Sequence, residues 1–387
     1  MTIKGSVSSI TKIIGDFSDQ MTVCMKKNVR RHFREYLLGI MIPPEIRRKS
    51  ISNISSLVSS YDQSTLNRMI HAVDQEILEK NYITYLKALI GKHRIQFIGN
   101  DTLLNHPGAK VMEDVGWFHD HASGNNVLAH QTVTTMLHDL ETDEFYPFLM
   151  RFYRKESMIV QDEPHKFRTK LEIMSELFEI ASNNFTVSGK TVDSWFSSNR
   201  FLGDHYVTEL KSNRKVSLVN MRKMTKRNSD MFYTMNELLE TTFIMHERNL
   251  DILSDFPMYV NMNAWLSNGD PVNIVILYNP ENGRKKFLAS DYIEGDDLIT
   301  VWNARWPIET FHNDAKDMGL GEYQVRDSEG SLIHASITVT AYTLLYTIIK
   351  RSRELFGKVL KTIGECSRTI KEILFFKKNY KQRLFSG

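Results

Sequence analysis

The chain has 387 residues, enough for two or three domains around at least one substantial core. Its formal charge of +3 is too small to argue for a polyanionic partner from the total, and two isolated cysteines, Cys24 and Cys366, exclude a CxxC-type zinc site. It carries neither a run of eighteen apolar residues nor a charged-then-apolar leader, so a soluble, cytoplasmic protein in a reducing compartment is expected.

The first ninety residues read as helical. Phe33, Tyr36, Leu37 and Ile40 recur at helical spacing before a break at 39–44, and Ile51, Ile54, Leu57 and Val58 make a second set. A third helix is expected after Asp62 as N-cap, carrying Leu66, Ile70, Val73 and Ile77. Arg30, Arg31, Arg47 and Arg48 fall in basic stretches of this region, and small helical domains of this kind bind DNA, or proteins nearly as often. Cations also gather at 211–227 and 377–383. One basic run is ordinarily a solvated face; four in one chain bring a nucleic-acid partner into consideration.

From His93 the pattern changes to strands. Ile95, Phe97 and Ile98 lead into Asn100-Asp101-Thr102, and 126–136 and 145–153 are two further extended segments. A helix is expected from about 166 to 181 on Phe167, Leu171, Met174, Phe178 and Ala181. Residues 185–192 then read as a buried strand ending at Asp193. This order, three strands, a helix, and a strand with an acid at its tip, is that of a ribonuclease-H-like fold, an α/β mixed sheet flanked by helices.

A last core strand is expected at 216–221. Beyond it, 257–264, 272–278 and 285–289 look extended and are joined by turns at 268–270 and 279–283. Ile333 to Ile349 reads as an apolar helix packed on the sheet, followed by an exposed basic tail. His119-Asp120-His121 has no further ligand at a characteristic metal spacing, which favours a polar turn. Trp195, Trp265 and Trp306 could each stack on a displaced base, although packing is the commoner use of such rings.

The most informative segment is 302–316. Trp302, Arg305, Glu309 and Lys316 are separated by steps of three, four and seven, which on a helix of about 3.6 residues per turn fall along one face. An aromatic ring, two cations and an acid can then converge on one polyanionic ligand. Pro307 implies that the glutamate helix begins there or is kinked there.

Arg305-Trp306-Pro307-Ile308-Glu309 with Lys316 and Gly319-Leu320-Gly321 resembles the Y-x2-R-x3-E-x6-K signature of IS4-type DDE transposases, with Trp302 where that pattern has Tyr. Asp101-Thr102 and Asp193-Ser194-Trp195-Phe196 match the first and second acidic motifs of those enzymes. Phe33 to Gly39, Arg47 to Lys49 and Ser64 to Arg68 are similar to the N-terminal region of the IS701-like branch.

The resemblance implies that Asp101, Asp193 and Glu309 are the catalytic and metal-holding acids, with Mg2+ as the ion and Mn2+ as a substitute. Trp302, Arg305, Lys316, Arg30, Arg31, Arg47 and Arg48 would contact DNA. The protein would bind the terminal inverted repeats of a prokaryotic insertion sequence, at the nucleoid and as a homodimer on DNA, and would cut and join strands. The implied division is 1–90 helical DNA-binding domain, 91–222 and 291–350 ribonuclease-H-like core, 223–290 β-rich insertion, and 351–387 helical basic tail. Two alternatives stay open: a ribonuclease-H-like nuclease or resolvase, and a domesticated transposase that only binds DNA.

Overall fold

A computed structural model describes residues 3–42, 49–58, 62–159, 167–220, 231–241, 246–247 and 255–375. It opens with helices α1 (Ile3–Met21), α2 (Lys27–Met41), α3 (Ile51–Val58), α4 (Gln63–Ile70) and α5 (Gln75–Ile90). Asp62 does cap a helix, its carboxylate accepting from Thr65 N. The helix expected to run on to Ile77 is nevertheless two, because Asp74 caps a second one by accepting from Ile77 N. Apolar spacing carries across such a break unnoticed.

Strands β1 (Arg94–Asn105), β2 (Gly116–Asp120), β3 (Asn125–Asp139) and β4 (Glu144–Tyr153) come next, then α6 (Lys170–Asn184) and β5 (Thr186–Val192). Thr169 and Glu172 form a reciprocal capping box, which starts α6 later than its apolar spacing suggested. The following elements are α7 (Asn199–Leu202), β6 (Tyr206–Glu209), β7 (Lys215–Ser217), β8 (Tyr233–Thr234), α8 (Met235–Thr241) and β9 (His246–Glu247). Then come β10 (Met258–Leu266), β11 (Pro271–Tyr278), β12 (Lys285–Ser290), α9 (Gly295–Asn303), α10 (Pro307–Asp317), α11 (Ser328–Lys350), α12 (Ser352–Phe356) and α13 (Ile363–Phe375).

The described strands form one sheet in the order β2-β3-β1-β5-β6-β12-β11-β10-β7-β8, with β4 on β3 and β9 on β10. β3 runs antiparallel to both β1 and β4, whereas β5 is parallel to β1 and β6 is parallel to β5. The mixed α/β sheet expected from the sequence is therefore present. Its last parallel strand is not the expected 216–221 segment but β6, four residues that the pattern did not single out. Val216 belongs to the short β7 and pairs with Leu266 of β10, and Met221 lies outside the described residues. The three extended segments of the long interval are strands, joined to the parallel part of the sheet through the antiparallel β6–β12 pair.

One large apolar cluster holds residues of α1–α5, the first strands, α6, α10, α11 and α13. Two smaller clusters cover the two faces of β11. Ile274 and Ile276 pack on one, and Val275 and Leu277 with Leu298 and Trp302 pack on the other, which explains the unbroken apolar run of that strand. α11 is long and apolar enough to cross a membrane by length and composition, and 72% of its apolar window is buried in the fold. At Gly99 in β1 a Cβ would lie 2.6 Å from Met174 Sδ of α6, so any larger residue there would have to displace the Met174 side chain.

Candidate active site

Successive side chains of a strand point to opposite faces, and β1 uses both. Asn100 and Thr102 meet α10: Asn100 Nδ2 donates to Glu309 Oε1 at 2.8 Å, and Lys316 Nζ donates to Thr102 Oγ1 at 2.9 Å. Asp101 points the other way, where its Oδ2 accepts from Gln131 Nε2 at 2.7 Å and from Lys170 Nζ at 2.5 Å. Its side chain is 18% exposed and that of Lys170 9%. Asp193 follows the last residue of β5, where its backbone N–H donates to Gly99 O at 3.4 Å and its carboxylate accepts from Ser194 N at 2.7 Å.

Glu309 is in the first turn of α10, which begins at Pro307 in the N1 position where a missing N–H costs nothing. The alternative of a kink therefore drops out. Arg305 Nη1 reaches Glu309 Oε1 at 3.2 Å, and His312 Nδ1 lies 3.7 Å from Oε2. His312 beside it, then Arg305 and Asn100, hold the Glu309 carboxyl down to about 2 against the opposing effect of burial. His312 is itself buried, which lowers its pKa, and its Nε2 is 2.7 Å from Thr134 Oγ1 of β3. Burial also lowers the Lys316 ammonium, while Asp120 and Glu309 raise it.

A fourth carboxylate belongs to this neighbourhood. Thr208 pairs with Val192, so Glu209 and Asp193 lie level at the ends of adjacent parallel strands. Burial raises the Glu209 carboxyl, Lys286 and Arg305 lower it, and Asp193 adds to the rise. Arg305 thus joins the two halves of the site. Its guanidinium lies 4.8 Å from the Trp302 ring centroid, and its Nε is buried without a hydrogen-bond partner.

Residues 6–345 match the family described as "Archaeal putative transposase ISC1217", a family of DDE transposases. The chain belongs to that family. The resemblance read from the 302–316 segment is thereby borne out, and the protein is a transposase. No curated protein matches the sequence. Among solved structures the transposase is similar to the cryo-EM structure of a piggyBac transposase synaptic complex with hairpin DNA. The identity is 12% and the TM-score 0.49, over 98% of this chain and 80% of that chain.

Glu309 and Lys316 both contact β1, on the residues either side of Asp101, and Asp193 is bonded to the backbone two residues earlier. The three acids do not share a ligand as they stand. Among the described residues no three His, Cys, Asp or Glu side chains form a group able to hold a metal ion; Lys170 and Gln131 hold Asp101, and Arg305 and Asn100 hold Glu309. In this arrangement they do not fit a common ion pair. Trp302 is on α9 rather than on the glutamate helix and is only 3% exposed, so its ring serves the core and Arg305 rather than an open stacking surface. Trp195 and Trp306 are instead exposed, at 50% and 69%.

Arg30 and Arg31 are exposed on α2, and Arg30 Nε donates to Met25 O at 3.1 Å. Arg47 and Arg48 lie outside the described residues, as does the basic tail. His119 is in β2, paired with Asn126, and His121 is in the polar turn that follows, where Asp120 accepts from Ala122 N and Ser123 Oγ. Asn100, Gln131, Lys170, Glu209 and His312 were not foreseen. Only Asn100, beside Asp101, and His312, three residues after Glu309, had a local signal; the others arrive by strand and helix pairing.

Proposed function

We propose that this transposase binds the terminal inverted repeats of its own element and cuts and joins strands there, with Asp101, Asp193 and Glu309 as the acids of a ribonuclease-H-like centre. The observation that carries the reading is the approach of α10 to β1. Glu309 and Lys316, more than 200 residues further along the chain, meet Asn100 and Thr102, the sequence neighbours of Asp101, whose own side chain is on the opposite face of β1. A surface helix with an incidental Arg-Glu pair would have no reason to dock there.

Within that reading the cations take the phosphates. Arg305, paired with Glu309 beside the Trp302 ring, gives one positive charge. Lys316, anchored on Thr102, gives a second positive charge. Asn100 and His312 fix the orientation of Glu309. Divalent-ion chemistry is general among DDE transposases, and Mg2+, or Mn2+ in its place, is the ion that carboxylates of this kind would take once released from the cations that now hold them.

The exposed Arg30 and Arg31, with Arg47 and Arg48, are assigned to recognition of the element's ends, β10–β12 to the insertion, and a homodimer to the DNA-bound assembly. Selecting bound duplexes from a random pool and then incubating them with the protein and Mg2+ tests this function. A single selected motif, cut at a fixed position beside it only when Mg2+ is present, is expected. Selection of no motif, or a motif that is bound and never cut, would leave a DNA-binding protein and not the proposed enzyme.

A further inference from the structure

β5 is followed by a single tight turn of helix, Ser194–Phe196, started by Asp193, whose carboxylate accepts from Ser194 N. Its two rings differ in fate. Phe196 is wholly buried in the main core, whereas Trp195 is 50% exposed. An indole left half in water forgoes much of the burial that ordinarily keeps such a ring in place. Trp195 is nevertheless held: Lys170 Nζ, itself bound to Asp101 Oδ2, lies 4.4 Å from its ring centroid, and Lys211 Nζ lies 4.5 Å from it. Lys211 belongs to the turn between β6 and β7, where Arg214 N donates to Lys211 O and the Arg214 guanidinium reaches back to Asn199 Oδ1. Arg200, next to Asn199, is exposed. Among the described residues no carboxylate pairs with Lys211, Arg214 or Arg200. The surface beside Asp193 therefore combines one open aromatic ring with cations that have no acid of their own.

We propose, resting on the function proposed above, that this surface is a site for unpaired nucleotides of the DNA strand lying beside Asp193: a base stacks on the Trp195 ring, and Lys211, with Arg200 and Arg214 behind it, takes the neighbouring phosphates. A ring flanked by cations is the combination that single-stranded nucleic acid calls for, since every base has a π-face and every linkage a charge. A duplex meets only half of it. Its bases already stack on one another, so it reaches the cations but not the indole. Lys211 is exposed and long-stemmed, so its ammonium moves from the ring to a phosphate when a base arrives. Lys170 is buried and stays on Asp101, which keeps the ring in position. The form of substrate singled out is DNA that is frayed or single-stranded at this surface, rather than a fully paired duplex.

Binding of the full chain to a short oligothymidylate and to a blunt mixed-sequence duplex, both in EDTA so that no strand is cut, tests the proposal. Trp195→Ala should weaken oligothymidylate binding about tenfold, as expected for one lost stacking platform, and change duplex binding by less than about twofold. Trp195→Phe, which keeps a ring, should lie between the wild type and Trp195→Ala on the oligothymidylate. Lys211→Gln should lower the salt dependence of oligothymidylate binding by about 0.7 of a unit of slope. An unchanged affinity of Trp195→Ala for the single strand, an equal loss on both DNAs, or an unchanged slope in Lys211→Gln overturns the proposal. Should the Trp195 variants not fold, photocrosslinking of the wild type to an iodouracil-substituted oligonucleotide decides. The adduct should map to Trp195, and an adduct at Trp306 or elsewhere overturns the site. A wild type that binds neither DNA removes the proposed function together with the inference. One that binds the duplex and, given Mg2+, cuts it with no preference for the single strand at Trp195 removes the inference alone.

Discussion

Lys49 closes the run Arg47-Arg48-Lys49, which in the sequence looks like a solvated basic turn, but it is 3% exposed. Its Nζ donates to Ile40 O, its backbone N–H donates to Glu322 Oε2 at 2.6 Å, and a Cβ on Gly319 would lie 2.8 Å from Lys49 Cβ. Burial lowers the ammonium to about 7 from its ordinary 10.5, with Glu322 and Asp317 opposing. Between those values the unfolded chain binds more protons than the folded one, so this residue makes stability rise with pH from about 7 upward; below about 7 the cost of burying the charge is constant. Lys49→Met should flatten that rise, which thermal unfolding of both proteins between about pH 7 and about pH 10 would show. Parallel curves would mean that Lys49 is not buried as a charged group. A basic run thus misreports exposure wherever tertiary packing claims one of its members. The spacing of Arg305, Glu309 and Lys316 was legible because it is local, whereas Lys170 and Gln131 reach Asp101 from 69 and 30 residues away with no local mark.

At the scale of elements, α10 presents Glu309, His312 and Lys316 at steps of three and four to Asn100, Thr134 and Thr102 on β1 and β3. One helical face therefore meets two neighbouring strands. Because Lys316 of this face and Arg305, in the turn just before the helix, are the cations beside Glu309, Arg305→Ala and Lys316→Ala should each lower the dependence of DNA affinity on salt by about one unit of slope. Affinities measured across a salt series would expose the opposite result, an unchanged slope, and remove either residue from the contact surface. Helix starts were readable where a cap side chain announces them, as at Asp62. The capping box at Thr169 was equally present in the sequence, but the apolar spacing of Phe167 drew the start forward. β6 was not readable, since four residues carry too little period-two pattern, and only its pairing with β5 and β12 makes it a strand. Val216 had the better pattern and the lesser place.

For the whole molecule, the described strands form a single sheet that carries the proposed acids, at the ends of β5 and β6, on β1 and on the adjoining α10, while the helices of the first ninety residues share the main core. Tyr36 Oη is 2.6 Å from His334 Nδ1 of α11, and Tyr82 Oη is 2.7 Å from Thr343 Oγ1 of the same helix. Those helices are thus built into the protein that cuts, and their role at DNA ends is best approached through the exposed Arg30 and Arg31 rather than by deletion. The coarse α/β architecture was legible from the order of strands and helices, and the family chiefly from the 302–316 segment, with the shorter motifs at Asp101 and Asp193 beside it. How the acids are held was not, because it depends on which faces the sheet brings together. Single-turnover cleavage of the selected duplex by the wild type, Asp101→Asn, Asp193→Asn and Glu309→Gln, with duplex affinity measured in the same samples, bears most directly on that centre. Cleavage should fall on the order of 10^4-fold in each variant while affinity, dominated by phosphate contacts, stays within about threefold. A variant that cuts at the wild-type rate, or that loses affinity in step with cleavage, would contradict the assignment of these three acids.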